Sequence, residues 1–166
     1  MGKLIPGLAF FVVTIINAHA QFSGLPQVPQ KIITRFGALT VAKERVLLFK
    51  GHNLEPSIEG NNSLNLGARY RVGANDVVLV MDSGGTACPF LYYFVIVNKD
   101  GARPTKSFGT CAELTSIKRS GDSISINMKG FKGPFEPAAE RRRATRERHV
   151  FVFHDGAVTE NGKPVG

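Results

Sequence analysis

After residue 20, two segments of this chain are apolar at five or more consecutive positions rather than at alternate ones. They are Val77-Val78-Leu79-Val80-Met81 and Phe90-Leu91-Tyr92-Tyr93-Phe94-Val95-Ile96-Val97. A strand with one face in water alternates apolar and polar residues. These two do not, and the pattern predicts central strands covered on both sides. Ser123 to Lys129 (SISINMK) does alternate, so Ile124, Ile126 and Met128 should face a core, with Ser123, Ser125, Asn127 and Lys129 outward. Shorter runs rich in Val, Ile, Thr and Phe (KIITRFG, ALTVAK and RVLLFK, between residues 31 and 50) read as further strands. Residues 51–68 are rich in Gly, Asn and Ser and are expected to be largely loop.

Three turns follow from local chemistry. Asn98-Lys99-Asp100-Gly101 ends the longest apolar run, and Arg119-Ser120-Gly121-Asp122 joins ELTSIK to SISINMK. Asp155-Gly156 joins HVFVFH to AVTE, and that pair suits the positive φ values of a two-residue hairpin turn. One stretch departs from the β pattern. After Pro137, AAERRRATRER holds good helix formers and a single β-branched residue, Thr145. A short surface helix is therefore expected over 137–147. The fold class is mainly β: an antiparallel sandwich or partly closed barrel of roughly seven to nine strands, with one short helix.

The beginning of the chain has a different pattern. Lys3 precedes an almost unbroken apolar run, Leu4 to Ile16, and Ala18-His19-Ala20 follows. A basic start, a short apolar core and small residues at the cleavage positions predict a signal peptide over 1–20, with Gln21 as the mature N-terminus. The run is too short for a stop-transfer helix, which needs about 20 apolar residues. The expected product is periplasmic or secreted, with no integral membrane segment after cleavage. Residues 21–30 (QFSGLPQVPQ) read as an extended leader, and 31–166 as a single β-rich domain.

Export gives the two cysteines a meaning. Cys88 and Cys111 form an even count in an oxidising compartment, which predicts a disulfide. If Asn98 to Gly101 is a four-residue loop, Val97 pairs with Ala102, and the same register sets Cys88 opposite Cys111. Closing that loop is worth about 3 kcal/mol in the chain-entropy account. Pro89 and Pro104 each remove a ladder donor and can introduce a bulge.

The formal net charge is +8, and cleavage would remove one basic residue, Lys3. Outside the cytoplasm, the partners such a charge selects are anionic envelope components or acidic exported proteins, rather than nucleic acid. The charge is concentrated: Arg141, Arg142, Arg143, Arg146 and Arg148 lie close together, with Glu147 among them. On a helix Arg142 and Arg146 share a face with Arg143 beside them, and the guanidinium fork suits phosphate or carboxylate. These five are the candidate binding residues. The segment lacks the interleaved aromatics of a single-stranded nucleic-acid platform.

Catalytic and metal chemistry find little footing. Asp82-Ser83-Gly84-Gly85 resembles the nucleophile motif of trypsin-like serine proteases over four residues. That resemblance implies a nucleophilic serine, a histidine base and an oxyanion site. Here Met81 and Thr86 replace the family's flanking glycine and proline, and His52 is the one mature histidine upstream. The same residues make a glycine-rich turn between two strands. His149 and His154 are five apart on a predicted strand, which points them to opposite faces, so no metal or other cofactor is expected. Glu55, Glu59, Asp76 and Asp82 are the carboxylates of the predicted loops. Asn61-Asn62-Ser63 matches a glycosylation sequon. The expectation is a non-enzymatic binding protein of the cell envelope (an inhibitor, immunity-type or ligand-binding module). The alternative is a small exported hydrolase using Ser83 or a His-carboxylate pair.

Overall fold

The computed structural model describes residues 30–43 and 45–165. The signal peptide expected at 1–20 and nearly all of the leader expected at 21–30 lie outside them. The described residues form three antiparallel sheets and one short helix, and no sheet among them closes into a barrel. The first sheet is β1 (Lys31–Thr34), β2 (Gly37–Val41), β3 (Leu47–Phe49) and β4 (His52–Asn53), in that order. The central sheet runs β5 (Ser63–Val72), β6 (Asn75–Ser83), β7 (Phe90–Asn98), β8 (Gly101–Pro104), with β9 (Phe108–Cys111) also paired to β7. The third is a meander of β10 (Leu114–Ser120), β11 (Ser123–Lys129), β12 (Arg148–His154), β13 (Ala157–Glu160) and β14 (Lys163–Pro164). Helix α1 (Ala138–Ala144) lies between β11 and β12.

The consecutive apolar runs are explained by layering. On β6 and β7, one parity of side chains (Val77, Leu79, Tyr92, Phe94, Ile96) packs with Ile124, Ile126, Met128, Phe151 and Phe153 of the third sheet. The other parity (Val78, Val80, Val95, Val97) packs with Leu39, Leu47, Leu54 and Ile58 from the first sheet and the loop after it. The central sheet therefore has a core on each face. The first of these cores is aromatic: the Phe94 ring lies 4.9 Å from Phe153 and 5.3 Å from Phe108, centre to centre. The second is aliphatic and finer grained.

Turns behave as their residues dictate. Asp155 and Gly156 take φ values of 48° and 79°, with His154 paired to Ala157 across them. Asn161-Gly162 repeats this geometry between β13 and β14, at 50° and 82°. At 98–101 Val97 pairs with Ala102 as expected. At 119–122 the strands run further in than expected, so that Ser120 pairs with Ser123 and only Gly121-Asp122 turn.

The loop expected over 51–68 needs correction. Residues 63–68 are strand, not loop: they begin β5, with Leu64 and Leu66 buried and Ser63 and Asn65 on the opposite face. Gly67 and Ala68 then fall at a register shift between Leu66 and Arg69. The Asn, Ser and Gly content hid an alternating pair of leucines.

Cys88 and Cys111 are bonded, with Cα atoms 4.7 Å apart. The register beneath them differs from the simple hairpin. β8 stops at Pro104, Phe94 takes the Thr105 hydroxyl as acceptor for its N–H (3.1 Å), and pairing resumes one residue later with Tyr92 opposite Phe108. A second shift between Tyr92 and Phe90 sets Cys111 opposite Phe90 rather than Cys88. The bond therefore reaches diagonally past the end of β7 and ties it to the end of β9.

Candidate anion-binding surface

Lys129 at the end of β11 pairs with Arg148 at the start of β12. A tight turn there would complete an ordinary hairpin. Instead the chain leaves the sheet at Gly130 and returns at Glu147. Its two ends are clasped by the Gly130 N–H donating to the Glu147 carbonyl (3.2 Å). Gly130 is needed at that base because a Cβ there would sit 2.6 Å from the Ala144 carbonyl oxygen. Little of the excursion is buried. Ala144 and Gly130 are covered, Phe131 and Gly133 are partly so, and the rest faces solvent.

Within it, Glu136 donates its N–H to the Gly133 carbonyl (3.1 Å), forming a turn between Gly133-Pro134 and Pro137. Pro137 then starts α1, where its missing N–H costs nothing. The helix is shorter than the 137–147 expected. Thr145 caps it, and Arg146 and Glu147 donate to the Arg143 and Ala144 carbonyls, tightening the last turn. Its one buried side chain, Ala144, points at the body.

The helical period sorts the five arginines. Ala139, Arg142, Arg143 and Arg146 fall at i, i+3, i+4 and i+7, and with Glu147 they line one open depression. Arg146 also borders a second groove of about 240 Å³, where the end of α1 meets β10 and β11. Arg148 and Lys129 join it there, above Met128. Arg141 lies on another face of the helix and lines neither. The structure thus brings together four of the five expected arginines and adds Lys129, which strand pairing delivers.

These cations have few acids near them. Arg143 approaches Glu147 at 3.8 Å, an exposed i, i+4 pair of the kind that contributes about 0.5 kcal/mol or less. Among the described residues, Arg141, Arg142, Arg146 and Arg148 make no ion pair. Glu147 is shared: its other oxygen lies 3.8 Å from His149 Nε2, while His149 Nδ1 is 2.6 Å from Glu160 Oε1.

Elsewhere the candidate residues have structural partners. Ser83 ends β6, and its hydroxyl is 2.5 Å from Ser63 Oγ, with the Asn65 amide 3.3 Å away. Gly84 donates to the Pro89 carbonyl (2.9 Å), and a Cβ on it would collide with Asn62 at 2.6 Å. Asp82 accepts the Asn61 N–H (2.7 Å), so Asp82-Ser83-Gly84-Gly85 fastens the 61–62 loop to the central sheet. His52 is exposed on β4, and His154 Nδ1 lies 3.0 Å from Ser123 Oγ. Among the described residues, no three His, Cys, Asp or Glu side chains cluster as metal ligands would.

Asp76 was expected in a loop and is instead in β6, with its side chain 2% exposed. It accepts the Arg35 backbone N–H (2.7 Å) and the Arg35 Nε–H (2.8 Å), and Arg69 lies 3.7 Å away. Burial pushes its carboxyl pKa up. The Arg35 hydrogen bonds and the charges of Arg35 and Arg69 outweigh that, and the net shift is downward. This group fastens the β1–β2 turn to the central sheet.

No known family, no curated protein and no solved structure matches this chain.

Proposed function

We propose that the chain is an exported, disulfide-stapled binding protein of the cell envelope, without catalytic activity. Its site is the 130–148 excursion, and its partner is an anionic envelope component or an acidic exported protein. One observation carries this reading: Arg142, Arg143 and Arg146 share a single exposed depression that holds one weakly placed acid. Clustered cations repel one another, and an anionic partner relieves that cost. The Cys88–Cys111 bond supports export to an oxidising compartment, periplasmic or extracellular.

Titration with heparin, a soluble polyanion, tests the reading. The unaltered protein should bind with an affinity that falls steeply with salt, since exposed charges are screened over about 8 Å at physiological ionic strength. Changing Arg142, Arg143 and Arg146 together to Gln should weaken binding and flatten the salt dependence. Unchanged affinity at low salt would reduce the cluster to a solvated helix face.

A hydrolase is the second reading, and the close His149–Glu160 pair is what favours it. A base oriented by a carboxylate is one part of such a site. Ser83 hydrogen-bonds to Ser63 and Asn65 rather than to a histidine. Stoichiometric labelling of Ser83 by a fluorophosphonate would promote this reading over the first.

A further inference from the structure

The arginine depression does not account for the most anomalous side chain on the surface. Phe135 is 90% exposed. Among the described residues one other large apolar side chain is exposed, Ile33, at 60% on the first sheet. A phenylalanine this open loses all the benefit of burial. The chain nevertheless presents it deliberately. The Gly133–Glu136 turn holds it out, and Pro134 and Pro137 on either side limit how the backbone can fold back.

Its position along the chain is as telling as its exposure. Phe135 stands three residues before α1, and the helix rises about 1.5 Å per residue. Along the backbone it therefore lies no more than about 25 Å from Arg142, Arg143 and Arg146. Lys132 precedes it and is also exposed. An exposed aromatic tip and an arginine cluster carried on one excursion match a surface that offers an apolar phase and phosphates together.

We propose that the excursion docks on an anionic phospholipid bilayer, with Phe135 entering the boundary between head groups and acyl chains while Arg142, Arg143 and Arg146 hold head-group phosphates. This rests on the anion-binding reading above and names its partner. A soluble polyanion satisfies the arginines and leaves Phe135 in water. A bilayer satisfies both, and stable peripheral attachment generally takes two such signals, one apolar and one basic. The guanidinium fork suits a phosphodiester oxygen pair better than a point-charge ammonium would.

The chain contains no tryptophan, so Phe135→Trp introduces a single reporter at the tip. The protein from Gln21 onward is used, so that the apolar run at 4–16 takes no part. Vesicles of phosphatidylcholine with phosphatidylglycerol are compared with vesicles of phosphatidylcholine alone, and with heparin. The expected result is a blue-shifted emission with anionic vesicles only, and sedimentation with them about tenfold tighter than with neutral ones. Phe135→Ser should lower vesicle affinity about tenfold and leave heparin binding unchanged. The Arg142, Arg143 and Arg146 triple change to Gln should lower both. Three results would overturn the bilayer while leaving the anion-binding reading intact. One is arginine-dependent heparin binding with no vesicle binding. Another is vesicle binding that Phe135→Ser does not weaken. The third is a blue shift as large with heparin as with vesicles. Vesicle binding that ignores the three arginines would remove both readings together.

Discussion

β11 is joined to its two neighbours in opposite ways. Toward β10 the connection is Gly121-Asp122, with Ser120 and Ser123 paired across it. Toward β12 the strand ends are just as close, with Lys129 paired to Arg148, yet residues 130–147 stand between them. The first connection is as short as a hairpin allows. The second is much longer than closure requires, is nearly all solvent-facing, and carries most of the cations of the site. A segment that adds little buried area has little to contribute to folding, and long loops of this kind are usually retained for what they bind. The contrast separates a body that holds the structure from an excursion to which we assign the proposed binding.

That division breaks or sharpens under substitution, and the largest effects belong to the body. Phe94→Ala empties the aromatic junction between the central and third sheets, and should cost about 3–5 kcal/mol, read as a lower midpoint in urea. A loss under 1 kcal/mol would mean that the stacked rings are not what joins the layers.

The Asp76 anchor should come next. Its folded pKa is depressed, so its stabilisation is complete above the unfolded carboxyl value of about 3.9 and fades as pH falls through the folded one. The unaltered protein should lose thermal stability below about pH 4. Asp76→Asn should cost about 2 kcal/mol at neutral pH and show a flatter acid limb, because the titrating group is gone. An acid limb identical to that of the parent would exclude Asp76 as the origin of the loss.

The smallest effect should come from the largest change. Replacing residues 130–147 with Asn-Gly lets Lys129 and Arg148 close a two-residue turn. The melting temperature should shift by no more than about 5 °C, the order that 1 kcal/mol represents in a domain of this size, and heparin binding should disappear. A variant that fails to fold would show that the excursion belongs to the body after all.

Much of this body was legible from residue order, and the misses have definite causes. Val77 to Met81 and Phe90 to Val97 announced a doubly covered sheet because both side-chain parities are apolar, and a strand has only two faces. β5 escaped notice because Asn65 and Gly67 spoke louder than Leu64 and Leu66, although the alternation was present. The cysteine pair was readable from its count and its hairpin. The two register shifts that set Cys111 opposite Phe90 were not, since Pro89 and Pro104 signal a disturbance without its size. In the site, helical spacing placed Arg142, Arg143 and Arg146 together and could also have set Arg141 aside. Lys129 could not be found that way, because β-pairing brings it there. The exposure of Phe135 depends on what packs nearby, and composition does not report that.

The central sheet has a final consequence, which concerns cooperativity. β6 and β7 are common property of two cores that never touch each other. Removing either outer sheet would expose one whole face of Val, Leu and Phe side chains. An intermediate with one layer peeled away is therefore costly and prone to stick to its own kind. The three layers should melt in one transition rather than two, and a lesion in the aliphatic core should be registered just as fully by a probe in the aromatic one.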